Sequence, residues 1–474
     1  MHYSRLSVLS VVAAAYLGVV GGLATPLPSS WGEMLTKHEW THIPVNWVTI
    51  GYPPVAASID LHIALKPYRE KALTDALLEV SQPGSPKRVL FSTPPFEAYS
   101  CVPPLRFRYR AHLTKQQVAQ LVAPHPDTFE LVTSWLKHNG VSPSSISTTH
   151  GGCWLTVAGV PVSQANQLLG ASYQLYHHSE KNETILRTIR YALPEALHTH
   201  VKVIAPTTAF TSMSLLQHEA PRNRSGGAVN ATSGEPVGML SRQEQDEIDI
   251  KPSVLSWHYK FSFYKPSATT MNSLGIVGYR DQAPMTPDVS RFMSAFRKDI
   301  RLDNLDIKQI DRRYPTQFGF EATLDTEYGM ALVSPTPVVF YVSTGAGTQI
   351  NLRDNLPHPG DEYVQILRFL IDKPNTPRTI SLGYGTSELS VPWEYAAALC
   401  QLFAQLGARG ISVLVASGDA GVGLGSCINN YGIVQFYAAF PASCMCGIYS
   451  LLTSCTQAQA QVTHLVVIYS QVPG

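Results

Sequence analysis

Apolar positions recur every three or four residues in "HLTKQQVAQLVAP" and "PDTFELVTSWLKHNG", and every second residue in "CWLTVAGVPV". The first period is that of a helix with one buried face, the second that of a half-buried strand. Residues 25 to about 210 therefore predict a compact α+β unit. After residue 248 the rhythm changes. "SLGIVGY", "PTPVVFYVS", "RTISLGYG" and "ISVLVASGD" are short apolar runs of buried strands, and between them lie the helical patterns "PDVSRFMSAFRKDI", "DEYVQILRFLID" and "VPWEYAAALCQLFAQLGARG". Ser390 is the expected cap of the last helix, with Pro392 in its first turn and Gly407 near its end. Strands alternating with helices predict an α/β fold, a parallel sheet with flanking helices on both faces. Such sheets gather chemistry at the carboxyl ends of their strands, where "SGDAG", 417–421, falls.

One helix pattern carries acids where apolar residues belong. In "GFEATLDTEYGMALV", Glu321, Leu324, Asp325, Tyr328, Ala331 and Leu332 share a stripe that should face the core, while Glu327 should point to solvent. Like charges four apart on a helix repel by a few tenths of a kcal/mol. An acid-rich helix N-terminus, stabilised by the macrodipole, explains one such carboxylate. The second, on the same stripe, points instead to a buried pair sharing a proton, the arrangement of a general base oriented by a neighbouring acid.

Composition narrows the class without deciding it. The 474 residues suffice for two or three domains, and 35 basic against 34 acidic side chains leave no basic stripe of the kind nucleic acid requires. Arg5, the apolar run 6–20 and the small residues Gly22, Leu23 and Ala24 read as a cleaved signal peptide over 1–24. A membrane anchor is the alternative, opposed by the serines and glycines in the run and its marginal length. No later stretch is long and apolar enough to span a bilayer. Sequons at Asn182, Asn223 and Asn230 agree with a secretory route and glycosylation. Seven cysteines cannot all pair within the chain; Cys427, Cys444, Cys446 and Cys455 crowd its last 50 residues. Residues 221–246, rich in Gly, Ser, Asn and charge, read as an exposed linker open to proteolysis.

Asp419 stands at a strand end among Gly418, Gly421, Gly423 and Gly425, which would let a substrate backbone approach closely. A plain turn aspartate is the bland reading. A phosphate loop is opposed by the missing Lys-Ser/Thr and the wrong glycine spacing. Gly385-Thr386-Ser387 imitates a nucleophile motif, yet it precedes Asp419 and leads into a helix cap, so Ser387 reads as a turn residue. His112, His150, His177 and His178 lack metal-ligand spacing and read as surface residues.

Taken together, these segments resemble the sedolisin family of secreted serine-carboxyl peptidases, above all its fungal tripeptidyl-peptidase branch. "HLTKQQVAQLVAPHPDTFELVTSWLKHNGV", "WLTVAGVPVSQANQLLGASYQLY" and "TILRTIRYALPEALHTHVKVIAPT" are similar to the family's activation propeptide. "KPSVLSWHYKF", "NSLGIVGY", "FEATLDTEYGMALVSPTPVVFY", "LFAQLGARGISVLVASGDAGVG" and "FPASC" follow its catalytic domain in order. The resemblance implies a subtilisin-like parallel sheet, incomplete here, preceded by an α+β ferredoxin-like propeptide domain. It implies Glu321 as general base, Asp325 as its orienting partner, and Asp419 as the oxyanion-hole acid, protonated at low pH. It also implies peptide or protein substrates, the chain's own propeptide as a partner, calcium as a cofactor, and secretion to the extracellular space without a membrane anchor after signal removal.

The resulting division is a signal at 1–24, a propeptide domain at 25–212, a linker with the processing site at 213–247, a partial peptidase domain at 248–444 and a non-family tail at 445–474. Two departures qualify the resemblance. Residues 88–108 interrupt the propeptide pattern, and after "FPASC" no serine sits in the family's Gly-Thr-Ser-x-Ser. The family's nucleophile and C-terminal calcium site are thus missing from this sequence, and both foreign stretches read as intron-derived or frame-shifted. The expectation is a peptidase precursor that does not itself turn over. The alternative is a catalytically dead protein that binds peptides or a partner.

Overall fold

The structure is a computed structural model that describes residues 31–81, 111–149, 151–179, 183–211, 250–265, 272–279, 282–310, 317–343, 361–416, 438–444 and 465–467. Outside them fall the expected signal, the 88–108 insertion, the processing linker, His150, the three sequons, Asp419 and most of the tail.

In chain order the first unit contains β1 (Met34–Glu39), β2 (Trp47–Gly51), β3 (Ser58–Leu65), α1 (Ala72–Ser81), α2 (Lys115–Val122), α3 (Pro126–His138), β4 (Ile146–Thr148) and β5 (Trp154–Pro161). There follow α4 (Val162–Leu169), β6 (Gln174–His178), β7 (Thr184–Arg187), β8 (Arg190–Pro194) and β9 (Val201–Ala205). Its main sheet is antiparallel, in the order β4-β5-β3-β9, with β2-β6-β7 and β1-β8 as smaller sheets. Local chemistry sets the helix starts. Thr114 and Gln117 form a reciprocal capping box at α2, Pro126 occupies the first turn of α3, and Gly170 ends α4 in the left-handed region at φ 51°.

The period-two alternation along β3 decides what each face covers. Ile59, Leu61, Ile63 and Leu65 point into the unit's own core with Trp135, Leu136, Leu155 and Leu168. Ala64 belongs instead to the core that the second unit shares. His62 lies beside Arg368 of that unit, and burial first, then the Arg368 charge, push its pKa down to about 3, so the imidazole stays neutral. His178 corrects an expectation: it is buried, its ring 4.9 Å from that of Trp47, and is no surface residue.

The second unit contains α5 (Pro252–His258), β10 (Leu274–Gly278), β11 (Gln282–Ala283), α6 (Thr286–Phe296), β12 (Leu305–Gln309), β13 (Gln317–Phe318), α7 (Phe320–Val333) and β14 (Val338–Val342). Next come α8 (Glu362–Asp372), β15 (Thr379–Leu382), β16 (Thr386–Ser387), α9 (Trp393–Ala408), β17 (Ser412–Ala416), β18 (Ala439–Phe440) and β19 (Leu465–Val467). The sheet order is β12-β14-β10-β15-β17-β19; the first five strands are parallel and β19 is antiparallel. Alternation again sorts the faces. Leu274, Ile276, Val338 and Phe340 meet α6 and α7, whereas Val277, Tyr341, Ile380, Leu382, Val413 and Val415 meet α8 and α9. Helix α9 starts two residues later than its sequence suggests. Pro392 is its N-cap, Ser390 closes a preceding 3-10 turn, and Ser387 caps that turn by accepting from Leu389 N.

Helix α9 is buried nearly all round, packing on α8 and β17 of its own unit and on α1 and β9 of the first. One apolar core therefore runs through both units, from Leu73, Leu77 and Val203 to Leu399, Leu402 and Phe403. Polar links stitch its rim. Leu113 N donates to Ala408 O at 2.8 Å, Phe210 N to Ser390 O at 3.0 Å, and Lys115 Nζ to Asp372 O. Cys400 of α9 is disulfide-bonded to Cys444, and Cys153 is a buried free thiol. Leu402→Ala is expected to lower the stability of the whole chain by about 2–5 kcal/mol. Both units should then unfold together in a denaturant titration followed by circular dichroism.

Candidate active site

Helix α7 lies where small residues let it ride close to the sheet. Its buried positions are Ala322, Thr323, Thr326, Met330 and Ala331. A Cβ on Gly329 would stand 2.7 Å from Ile276 Cδ1, so glycine lets the helix approach β10 without displacing that methyl. The start of the helix is fixed by Thr323, whose hydroxyl accepts from Met285 N at 3.0 Å and donates to Gly319 O at 2.8 Å.

This seating corrects the expected stripe. The face that carries Glu321, Leu324, Asp325 and Tyr328 is not the core face: Leu324 is 48% exposed, and both acids are half-buried. Bulk decides the roll of the helix. The alanines, threonines and glycine fit against β10, and the carboxylates are turned toward the end of β15 instead. Glu327 also departs from expectation, being half-buried. It lines a groove of about 680 Å³ between α6 and α7 with Asp288, Phe292, Phe296, Phe320, Glu321 and Leu324. Burial first, then the Asp288 charge, hold the Glu327 carboxyl above the usual carboxylate range.

Glu321 and Asp325 do converge, and the residue that lets them is one that sequence reasoning missed. Gly383 follows the last residue of β15. A Cβ there would lie 2.9 Å from Glu321 Oε1 and 3.0 Å from Asp325 Oδ2. Both carboxylates therefore close over one backbone position, where a side chain would have to push their oxygens aside. The only signal in the sequence was a glycine straight after a predicted strand, in "SLGYG". Behind Gly383 the Tyr384 ring packs 4.9 Å from Tyr279, which in turn packs 5.6 Å from Tyr363, a dry aromatic floor. Strand β17 runs beside β15, with Val415 in register with Leu382, and ends at Ala416. Asp419, three positions further on, lies outside the described residues.

Ser387 is a strand-end and cap residue, His112 is exposed as expected, and His177 is half-buried in β6, where it contacts Thr184 Oγ1 at 3.2 Å. Among the described residues no group of three or more His, Cys, Asp or Glu side chains is arranged to hold a metal ion. No helix among them is long and apolar enough to cross a membrane.

Comparison with known proteins adds two findings. Residues 102–210 match the family described as Pro-kumamolisin, activation domain. Over 434 residues the chain is 30% identical to "Probable tripeptidyl-peptidase SED3" of Trichophyton verrucosum, covering 89% of this chain and 67% of that protein. It is 28% identical over 422 residues to "Tripeptidyl-peptidase SED3" of Arthroderma otae, covering 86% and 65% of the two chains. With "Tripeptidyl-peptidase SED2" of the same organism it shares 27% identity over 444 residues, 90% and 69% of the two. The chain thus spans about two thirds of the length of these relatives.

Two outcomes are expected from this geometry. Gly383→Ala should cost about 1–3 kcal/mol through crowding of the two carboxylates. Shortening Asp325 to alanine in the same chain should recover part of that loss in a denaturant double-mutant cycle. For Glu327 the sign follows from a folded-state pKa raised above the unfolded one: the ionised form is disfavoured in the fold, so its penalty is present at neutral pH and fades as pH falls through the folded value. Glu327→Gln should accordingly be more stable than the parent at neutral pH, with the difference vanishing in acid, as read from thermal melts across pH.

Proposed function

The chain belongs to the sedolisin family, and on that footing we propose that it is the precursor of an acid-acting, serine-type peptidase that is secreted and releases tripeptides from peptide N-termini. The observation that carries the reading is the pair Glu321 and Asp325 closing over Gly383 at the carboxyl end of a parallel strand. Support also comes from the match to an activation domain, which gives the first unit the role of the chain's own propeptide. We assign the second unit to a subtilisin-like sheet and the first to a ferredoxin-like propeptide; the five parallel strands and the four-stranded antiparallel sheet with helices support this.

In the proposed reaction Glu321 is the base. In the family reaction this base would take the proton of the nucleophilic serine hydroxyl, which this sequence does not present in a Gly-Thr-Ser-x-Ser, as the oxygen attacks the scissile carbonyl, and would then return it to the departing amine. Asp325 orients Glu321 and holds the proton that two neighbouring acids share more cheaply than two charges. Asp419, protonated in acid, donates a hydrogen bond to the oxyanion. A carboxylate retains its basic form at a pH where an imidazole is fully charged, which ties this set of groups to acidic surroundings. Asn182, Asn223 and Asn230 are the proposed glycosylation sites of the secreted form. No step is assigned to calcium, because no described cluster of acids fits it.

A second reading is favoured by one observation. None of the serines after Asp419 sits in Gly-Thr-Ser-x-Ser, so this sequence supplies the base, the orienting acid and the oxyanion acid without that nucleophile. On this reading the chain binds peptides and does not cleave them. Incubation with a tripeptidyl substrate in acid, beside a Glu321→Gln control, separates the two. The peptidase reading expects tripeptide release that drops about 10²–10⁴-fold in the control. Equal rates eliminate it, and binding of the substrate without release supports the second.

A further inference from the structure

The groove between α6 and α7 has a lining of two kinds. Phe292 and Phe296 of α6 form one aromatic wall, their rings 4.9 Å apart, and Phe320 and Leu324 of α7 stand opposite. Phe320 is 90% exposed, and Phe296 and Leu324 are exposed too. Single apolar side chains at a surface are ordinary, but several gathered in one concavity mark a place where something is covered. Among these rings stand the carboxylates of Asp288, Glu321 and Glu327. Arg291 is the one cation among the described lining residues, and its 80%-exposed side chain already donates to Asp288 Oδ1 at 3.1 Å. Three acids against one engaged arginine leave the groove electronegative.

The groove is continuous with the carboxylate pair. Glu321 belongs to both, lining the groove and closing over Gly383 with Asp325. A peptide laid across the end of β15 therefore has the groove within reach of a neighbouring side chain. The lining selects which side chain fits. An anion would meet three acids. A purely apolar group would cover the phenylalanines but also dry the half-buried Glu327 beside its like-charged neighbour Asp288. A long side chain with an apolar stem and a cationic head answers both surfaces at once. A guanidinium does so best, because it stacks on aromatic faces, pairs with carboxylates through a planar fork, and sheds water more readily than an ammonium.

We propose that the α6–α7 groove is a specificity subsite that takes an arginine side chain of a bound peptide, its stem against Phe296 and Phe320 and its guanidinium at Asp288 and Glu327. Glu327 and Phe320 are on this account specificity-determining residues, one for charge and one for the stem. The inference rests on the reading that the cleft at Gly383 binds peptides, and it holds whether or not they are cleaved.

The test uses the full chain at pH 6 and low salt, and reads binding by fluorescence anisotropy. The probes are hexa-alanine peptides labelled at the C-terminus, with arginine, norleucine or glutamate placed at each position in turn. At one position arginine is expected to bind about five- to tenfold more tightly than norleucine, and glutamate more weakly than alanine. Glu327→Gln, which keeps the shape and removes the charge, should cut the arginine advantage to about twofold or less and leave the norleucine peptide unchanged. Phe320→Ala should weaken the arginine and norleucine peptides alike, by about threefold or more. The exposure of Phe320 leaves the fold intact in that variant. An arginine advantage that survives both substitutions overturns the subsite, as a charge effect of the surface at large. Peptides that bind equally well with alanine or arginine at every position also overturn it, yet leave the peptide-binding cleft standing. Absence of binding by every peptide rejects the cleft and the subsite together.

Discussion

The burial of α9 on nearly every side beyond its first residue constrains everything around it. A helix that shows water almost no surface must be covered by more than one layer. Here the parallel sheet and α8 cover one side, and α1 and β9 of the first unit cover the other. That shared layer brings Gly407, in the last turn, close to the first unit: a Cβ there would come 3.2 Å from Leu77 Cδ1 of α1. It also explains why charged groups at the boundary are answered across it, Lys115 by Asp372 and Arg368 by Thr156. The two units meet as halves of one core and not as neighbours joined by a tether.

Positioning of the carboxylate pair follows from the same layering on the opposite face. Helix α7 is held down by its smallest residues, and the strand beneath it, β10, lies between β14 and β15. With its threonines and alanines against the sheet, the helix directs Glu321 and Asp325 sideways, past β10, to the end of β15. A glycine at that end completes the site by leaving room. The chemistry of the acids is therefore set by three kinds of residue that carry none: a small helix ridge, a central strand and a vacant Cβ position.

Much of this was legible in the chain. In the first unit the 3.6 period marked α2 and α3 and the period of two marked β5, while in the second the short apolar runs and the helical patterns between them marked β10, β14, β15 and β17 with α6, α8 and α9 in order. The spacing of Glu321 and Asp325 marked the pair, since four residues bring side chains to one helix face in any fold. What could not be read was the roll of α7, because hydrophobicity alone ranks Leu324 above Thr326, whereas close packing on β10 ranks size first. Ser390 was misplaced as a cap since a 3-10 turn with its own cap, Ser387, intervenes before α9. The role of Gly383 was hard to read because it arises from a contact between segments far apart in sequence, and a glycine after a strand does not say what closes over it.

The Cys400–Cys444 bond spans 44 positions, from the middle of α9 to the segment that carries β18. Crosslinks of that span act chiefly on the unfolded chain, by shrinking the space it explores. There is a further effect on chain integrity. A peptide bond severed anywhere between the two cysteines leaves both fragments covalently joined, so a nicked molecule would migrate as one species until a reductant is added. That tether keeps the buried helix and the strand end together after a cut that would otherwise part them.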